Sequence, residues 1–569
     1  MKAASRGQTG LPEGVCLPVR RVARSGTTGR VPSGGKPEEG TPSVSAETTQ
    51  AASEVEPEWN PEAVRRHRGL FRVIERRRSP KLRRSDITVT EETAVRRAVK
   101  AAMLGNAMEW FDFGIYSYMA VTLGQVFFPS GNPTAQTLAS FGAFAAAFLL
   151  RPIGGFVFGP LGDRIGRKKV LSLTMIMMAL GTFGIGLVPS YAAIGIWAPV
   201  LLLLFRVVQG FSTGGEYGGA ATFIAEYAPD KRRGFFGSYL EFGTLAGYVG
   251  AAGLVTVLTT LLDDGAMLSW GWRVPFLVAG PLGLIGMYMR LKLEDTPAFQ
   301  ELEREKERGT ERPKFRFGPF FRDHWRALLL CMILVAAYDI ADYGLLSYMP
   351  TYLTDELKYG STAGLVAIVV VMVALMCLVH PLGALSDRVG RKPVLLTGMI
   401  GFVVLTLPAF LLLRAGGHVA IYAGLLLLGL CLLTFLATMS AVLPALFPTE
   451  VRYSALAISF NVAGSIFGGT TPLVMEGLTS ATGNSLMPAF YIMLAAVVGA
   501  VAVLFMKETA RQPLAGSPPS VSTPEEAAAM VAAQYPRGPL SQIPAVDVPD
   551  TPAGAETGTP EPAVGATAA

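Results

Sequence analysis

Twelve apolar runs, each long enough to cross the roughly 30 Å hydrocarbon layer of a bilayer, follow one another through the middle of the chain. They fall at about 99–124, 136–160, 170–189, 194–224, 235–262, 273–291, 327–353, 362–385, 394–414, 418–446, 454–478 and 488–507. A backbone in lipid must satisfy its own hydrogen bonds, and these runs lack the alternation of a barrel strand, so they read as helices. The expected fold is therefore all-α and integral to the membrane, with 12 transmembrane helices. Composition agrees. Of 569 residues, 51% are hydrophobic and only 16% charged, against about a quarter charged in soluble chains.

Charge placement orients the chain. The breaks after the second, fourth, eighth and tenth runs hold Arg164, Arg167, Lys168 and Lys169, then Lys231, Arg232 and Arg233, then Arg388, Arg391 and Lys392, then Arg452. The alternate breaks are nearly bare, with Lys358 and Arg414 as lone exceptions, so both termini are expected in the cytoplasm of a cell-membrane protein. A charged linker at 292–326 separates six helices (97–291) from six (327–511). Residues 1–96 and 512–569, rich in Gly, Pro, Ser, Thr and Ala, read as a disordered basic leader and a disordered tail. The net charge of +6 owes much to the leader's arginines, including Arg65, Arg66 and Arg76, which suit an anionic lipid surface better than nucleic acid. Cys16, Cys331, Cys377 and Cys431, like His67, His324, His380 and His418, are scattered, so no metal or other cofactor is implied. No obligate protein partner is evident.

The two halves repeat each other. "GPLGDRIGRK" at 159–168 returns as "GALSDRVGRK" at 383–392, which maps Asp163, Arg164, Gly166 and Arg167 onto Asp387, Arg388, Gly390 and Arg391. Pro229 with Arg233 is echoed by Pro448 with Arg452. Paired six-helix repeats are a transporter architecture, with the solute site near the midplane between halves. The repeated loop resembles the signature of the major facilitator superfamily. "LGNAMEWFDFGIYSYMA" (104–120), "RPIGG" (151–155), "QGFSTGGEYGGA" (209–220), "WGWRVPF" (270–276) and "LFPTEVRYSALAISFN" (446–461) resemble its metabolite:proton symporter family, most of all the branch that moves the osmoprotectants proline and glycine betaine. The resemblance implies proton-coupled uptake of a small solute, without enzyme chemistry. It also implies that Asp163, Arg164, Gly166, Arg167 and their copies gate access by pairing in one state and parting in the other. Related symporters move 2-oxoglutarate, shikimate or citrate, and a solute receptor that does not transport is the alternative of another class.

A charge inside a membrane costs about 2.5–3.5 kcal/mol on insertion scales, so each should face protein or a water-filled cavity. Glu109, Asp112, Glu216, Glu241, Asp339, Asp342 and Glu476 stand against Arg151, Arg206 and His380. An excess of acid suits a zwitterion or cation, plus a proton, better than a dicarboxylate. In the first run Asn106, Glu109, Asp112 and Tyr116 are spaced along one helical face, with Trp110 and Phe113 beside them. Aromatic faces near carboxylates favour a substituted ammonium group. The seventh run offers Asp339, Asp342 and Tyr343. It departs from the proline/betaine branch, where this stretch is uncharged; the two acids mark either a more cationic solute, a proton site, or a hydrated outer mouth. Arg206 is expected to pair with an acid from the first or fifth run, and Glu216, set among glycines, to be a protonatable switch.

Overall fold

A computed structural model describes residues 82–165, 167–291 and 317–534. Among these, twelve helical rods follow in order. They are α1 (Glu92–Tyr118, continued by Ala120–Phe127), α2 (Pro133–Leu149 and Arg151–Ile165), α3 (Arg167–Leu187), α4 (Trp197–Thr213 and Glu216–Tyr227), α5 (Arg233–Leu261) and α6 (Arg273–Leu291). The second set is α7 (Phe317–Asp342, prolonged by wide turns at Tyr343–Tyr348 and Tyr352–Glu356), α8 (Ser361–Val389), α9 (Arg391–Ala415), α10 (His418–Leu436 and Met439–Ala445), α11 (Arg452–Ala463 and Thr471–Thr482, joined by a wide turn at Gly464–Gly468) and α12 (Met487–Phe505). Eight rods are long and apolar enough to cross a membrane, and shorter apolar stretches lie at Ser172–Leu187 and Arg273–Gly286. Local chemistry sets their ends. Asn132 accepts hydrogen bonds from the amides of Thr134 (2.9 Å) and Ala135 (3.4 Å), and Pro133 opens α2 where no amide is needed. Gly390, at φ +108°, takes the left-handed turn between α8 and α9.

The repeat seen in the sequence is physical. Arg233 Nε donates to the carbonyl of Ala225 at 3.0 Å, and Arg452 Nε to that of Pro444 at 3.2 Å, each eight residues back. One arginine at the start of α5 and one at the start of α11 thus tie each helix to the end of the helix before it. Across the halves, α5 packs along α8 and α2 along α11, the two pairings that a two-fold exchange of the repeats would interchange. Small residues permit close approach: a Cβ on Gly210 or Gly214 of α4 would lie 1.7 Å or 2.3 Å from backbone oxygens of Ala147 and Arg151 on α2.

The halves touch at both ends. At the end carrying the repeated loops, hereafter the motif end, Asp387 accepts the amides of Gly234 (2.8 Å) and Phe235 (2.9 Å), and Arg452 pairs with Glu226 at 3.0 Å. Nearer the opposite end, the Ser117 and Ser347 hydroxyls hydrogen-bond and Tyr118 donates to the carbonyl of Leu346 at 2.8 Å.

The expected boundaries of leader and tail differ from the fold. Residues 507–534 form an ordered strap over the motif end. Gln512 O accepts from Arg233, Ala515 O from Arg452 (2.8 Å), and Arg511 donates to Asp387 O (2.8 Å). The strap then adds β2 (Ser520–Val521) in parallel to β1 (Thr88–Val89), and a short helix, Pro524–Ala532, whose Glu526 meets Lys231 at 2.8 Å. Hydrogen bonds to buried arginines order this Pro-rich stretch, and no apolar period announces them. The rest of the expected leader, linker and tail lies outside the described residues.

Candidate functional site

Of the charges that the sequence places in mid-membrane, His380 is half-buried and the rest are buried; those apart from His380 and Glu476 sort into four groups. The first runs along the inside of the N-terminal half. Arg206 Nη1 donates to Gln209 Oε1 (2.5 Å), Gln209 Nε2 to Thr182 Oγ1 (2.7 Å) and Thr182 Oγ1 to Asp112 Oδ2 (2.8 Å). The Arg206 guanidinium lies 4.0 Å from the Tyr116 ring centre and 5.2 Å from that of Phe144. Direct pairing of Arg206 with an acid is therefore not what the fold uses: two neutral side chains and aromatic faces stand in its place. Nearby, Thr174 donates to Glu216 at 2.8 Å.

The second group centres on Arg151, which opens the second segment of α2. Its guanidinium sits 4.4 Å from the Phe113 ring centre and 4.1 Å from that of Phe148, and Nη2 lies 3.5 Å from Glu109 Oε1. Its Nε and Nη2 make no hydrogen bond within the described residues, although the side chain is buried. Rings continue from there. Phe148 stands 5.3 Å from Tyr343, Tyr343 5.6 Å from Trp110, and Trp110 5.3 Å from Tyr248. Phe148, Trp110 and Tyr248 belong to the first half and Tyr343 to the second, so this wall is shared.

The third group crosses between halves. Glu241 on α5 accepts hydrogen bonds from Tyr217 (2.6 Å) and Thr244 (3.1 Å) of its own half and from Tyr338 (3.1 Å) of α7. The fourth is the acid pair of α7. Asp339 is 2% exposed and lies against Gly464 and Gly468 of α11, where an added Cβ would stand 3.0 Å from its Oδ2. Asp342 is 0% exposed, and neither of its carboxylate oxygens has a hydrogen-bond partner among the described residues. Both carboxylates are thus shut away from solvent in this conformation. The wide turns carry α7 on to Glu356, roughly 20 Å beyond Asp342.

The α1 residues expected on one face fan out instead. Asn106 donates to the Leu240 carbonyl and Thr244 Oγ1 of α5 (2.8 Å each) and accepts from Trp110 Nε1 at 3.2 Å, which fixes the indole. Tyr116 donates to the Ser140 carbonyl at 3.1 Å. Asn106 and Tyr116 thus brace helices, while Glu109, Trp110 and Phe113 reach the shared wall. Glu476 accepts from Tyr348 at 3.0 Å. Sequence reading missed Tyr248, Phe148, Gln209 and Thr182. An aromatic ring alone amid the glycines and alanines of 246–253 was the available signal for Tyr248.

At the motif end, Arg391 Nη2 lies 3.3 Å from Asp387 Oδ1, and Arg388 is exposed. The Asp387 carboxylate caps the N-terminus of α5 from the other half, where a negative charge meets the positive end of the helix dipole. Glu508 does the same for α9: it accepts the amides of Arg391 and Lys392 (3.0 Å each), and of Thr509 and Ala510. Part-burial pushes the Glu508 carboxyl up, but the four amides outweigh it and hold the group below the usual carboxylate range. The side chains of Asp163, Arg164 and Arg167, together with Gly166, lie outside the described residues.

Known proteins match this architecture. The family described as "Sugar (and other) transporter" covers residues 98–318 and 300–518. The proline/betaine transporter of Escherichia coli strain K12 is 45% identical over 468 residues, 81% of this chain and 93% of that protein. The glycine betaine/proline/ectoine/pipecolic acid transporter OusA of Dickeya dadantii is 47% identical over 460 residues, 80% and 91%. The ectoine/proline transporter ProP of Corynebacterium glutamicum is 44% identical over 480 residues, 82% and 95%. The fold matches a solved structure of the proton:xylose symporter XylE with a TM-score of 0.62 at 17% identity, covering 74% of this chain and 98% of that one. The chain is therefore a multi-pass membrane transporter rather than an enzyme, and it belongs to the sugar (and other) transporter family within the major facilitator superfamily.

Proposed function

We propose that the protein is a proton-driven symporter that imports a small zwitterionic compatible solute, of the proline and glycine betaine class, across the cell membrane with both termini in the cytoplasm. The observation that carries this reading is the Arg151 guanidinium, with two nitrogens lacking hydrogen-bond partners among the described residues, set at the edge of an aromatic wall that both halves build. Such a guanidinium takes a carboxylate, the wall takes a substituted ammonium, and the two together fit a zwitterion. The names of the relatives support the solute class.

Alternating access follows from the contacts at the two ends. Loss of the Asp387 cap on α5 and of the Arg452–Glu226 pair opens the motif end; loss of the Ser117–Ser347 and Tyr118–Leu346 contacts opens the other. Glu241, whose ligands come from both halves, is the acid best placed to let proton binding bias the choice. The positive-inside arrangement of the basic loops supports a cytoplasmic motif end.

The test is uptake of labelled glycine betaine and proline into proteoliposomes with and without an inward proton gradient, with 2-oxoglutarate and shikimate as competitors. Gradient-dependent accumulation that neither acid suppresses is expected. Uptake of an organic acid in its place would keep the fold and overturn the solute.

A further inference from the structure

We propose that Asp342 and the rings of Trp110, Tyr248 and Tyr343 form the subsite that holds the cationic group of the solute, as the counter-charge that sets this transporter's preference for substituted ammonium compounds. The inference deepens the zwitterion reading and rests on it. A fully buried carboxylate with neither oxygen hydrogen-bonded is costly unless a proton or a cation neutralises it. No basic side chain is paired with Asp342 within the described residues. Arg151, the base of the shared wall, is engaged with Glu109 at 3.5 Å, and the other charges facing this region, Asp339 and Glu241, are acids. Among the described residues, then, none supplies the neutralising charge.

The surroundings are what an onium group requires. Trp110 lies 5.6 Å from Tyr343 and 5.3 Å from Tyr248, and Tyr248 lies 6.1 Å from Tyr118. These distances between ring centres leave π-faces close together, and the Tyr248 hydroxyl is itself buried without a hydrogen-bond partner among the described residues. Tyr343, next to Asp342 in the chain, meets Trp110 at 5.6 Å, and Leu346, one turn further along α7, accepts from Tyr118 at 2.8 Å, so the stretch of α7 that carries Asp342 packs against the rings of α1 and, through Tyr248, of α5. Neither half completes the subsite alone. A cation bound there draws the halves together, which is how binding energy is converted into a change of access.

The experiment measures solute exchange in proteoliposomes with no proton gradient, using full-length wild type, Asp342→Asn, Asp342→Glu and Tyr248→Phe, with glycine betaine, proline and choline as probes. Asp342→Asn is expected to raise the half-saturating concentration of glycine betaine at least tenfold, Asp342→Glu to recover most of that loss, and Tyr248→Phe, which keeps the ring, to cost about threefold. Unchanged exchange in Asp342→Asn overturns the proposal. So does normal exchange with lost gradient-driven accumulation, which makes Asp342 a proton carrier instead. Should Asp342→Asn not insert, unchanged exchange in Tyr248→Phe contradicts the subsite. If wild type exchanges choline but neither zwitterion, the solute reading falls and the subsite stands; if it exchanges none of the three, both fall.

Discussion

Helices α1 and α7 hold the same place in the two repeats, and each carries two acids about one turn apart, yet they treat them differently. On α1, Glu109 meets Arg151 and Asp112 meets Thr182, both partners lying in the same half. On α7, Asp339 rests against glycines and Asp342 meets nothing that can donate to it among the described residues. Each α1 acid is met by a side chain of its own half; of the α7 acids, Asp339 lies against its own half's glycines and Asp342 has no donor among the described residues. Burial is common to all four acids; what differs is the partners of their oxygens among the described residues.

Several substitutions break or sharpen this contrast. The largest effect is expected for Arg151→Gln, which removes the guanidinium that, besides its 3.5 Å pairing with Glu109, keeps Nε and Nη2 without hydrogen-bond partners among the described residues. Hydrogen bonds to charged groups are worth about 1.5–3 kcal/mol each, so losing two should cut initial betaine uptake more than about a hundredfold. Uptake within tenfold of wild type would take Arg151 out of the site. Next, Asp387→Asn weakens the charge on the α5 N-terminus by about 1 kcal/mol, and the motif end should open about fivefold more often. The labelling rate of a cysteine introduced at Ser238 reads this directly, and an unaltered rate would assign Asp387 to topology alone. Asp112→Asn should change half-saturation less than about threefold, since an amide oxygen can still accept from Thr182. A tenfold change would place Asp112 with Asp342 rather than with the scaffold.

The smallest effect concerns the strap. The folded Glu508 carboxyl lies below its unfolded range, so its cap on α9 contributes fully above about pH 4.3. That contribution is lost as pH falls through the lower folded value. Amide exchange at Arg391 and Lys392 should stay slow from pH 7 to about 5 and accelerate, beyond its intrinsic pH dependence, only in stronger acid. Early acceleration near pH 6 would contradict the cap.

Helix number, the repeat and the family were legible because they rest on long-range patterns: apolar length, charged breaks, and two copies of one loop. Side-chain destinations were less so. Asn106, Glu109, Asp112 and Tyr116 share a spacing, but the angle each subtends decides between α5, α2 and α3, and that angle depends on how α1 is rotated against its neighbours. Arg206 reaches an acid of the first run, Asp112, only through Gln209 and Thr182, and no spacing in the sequence announces that relay. The strap was read as disordered since its order comes from backbone carbonyls meeting Arg233 and Arg452. Asp342 could not be placed until the wide turns showed that α7 runs on past the "MPTYL" segment.

The most direct test of coupled transport is proton movement itself. Proteoliposomes loaded with a pH-sensitive dye and given external glycine betaine, with no imposed gradient, should acidify internally as solute enters, at a rate that saturates with betaine. Entry of betaine with no accompanying acidification would contradict proton symport and leave a uniporter on the same fold.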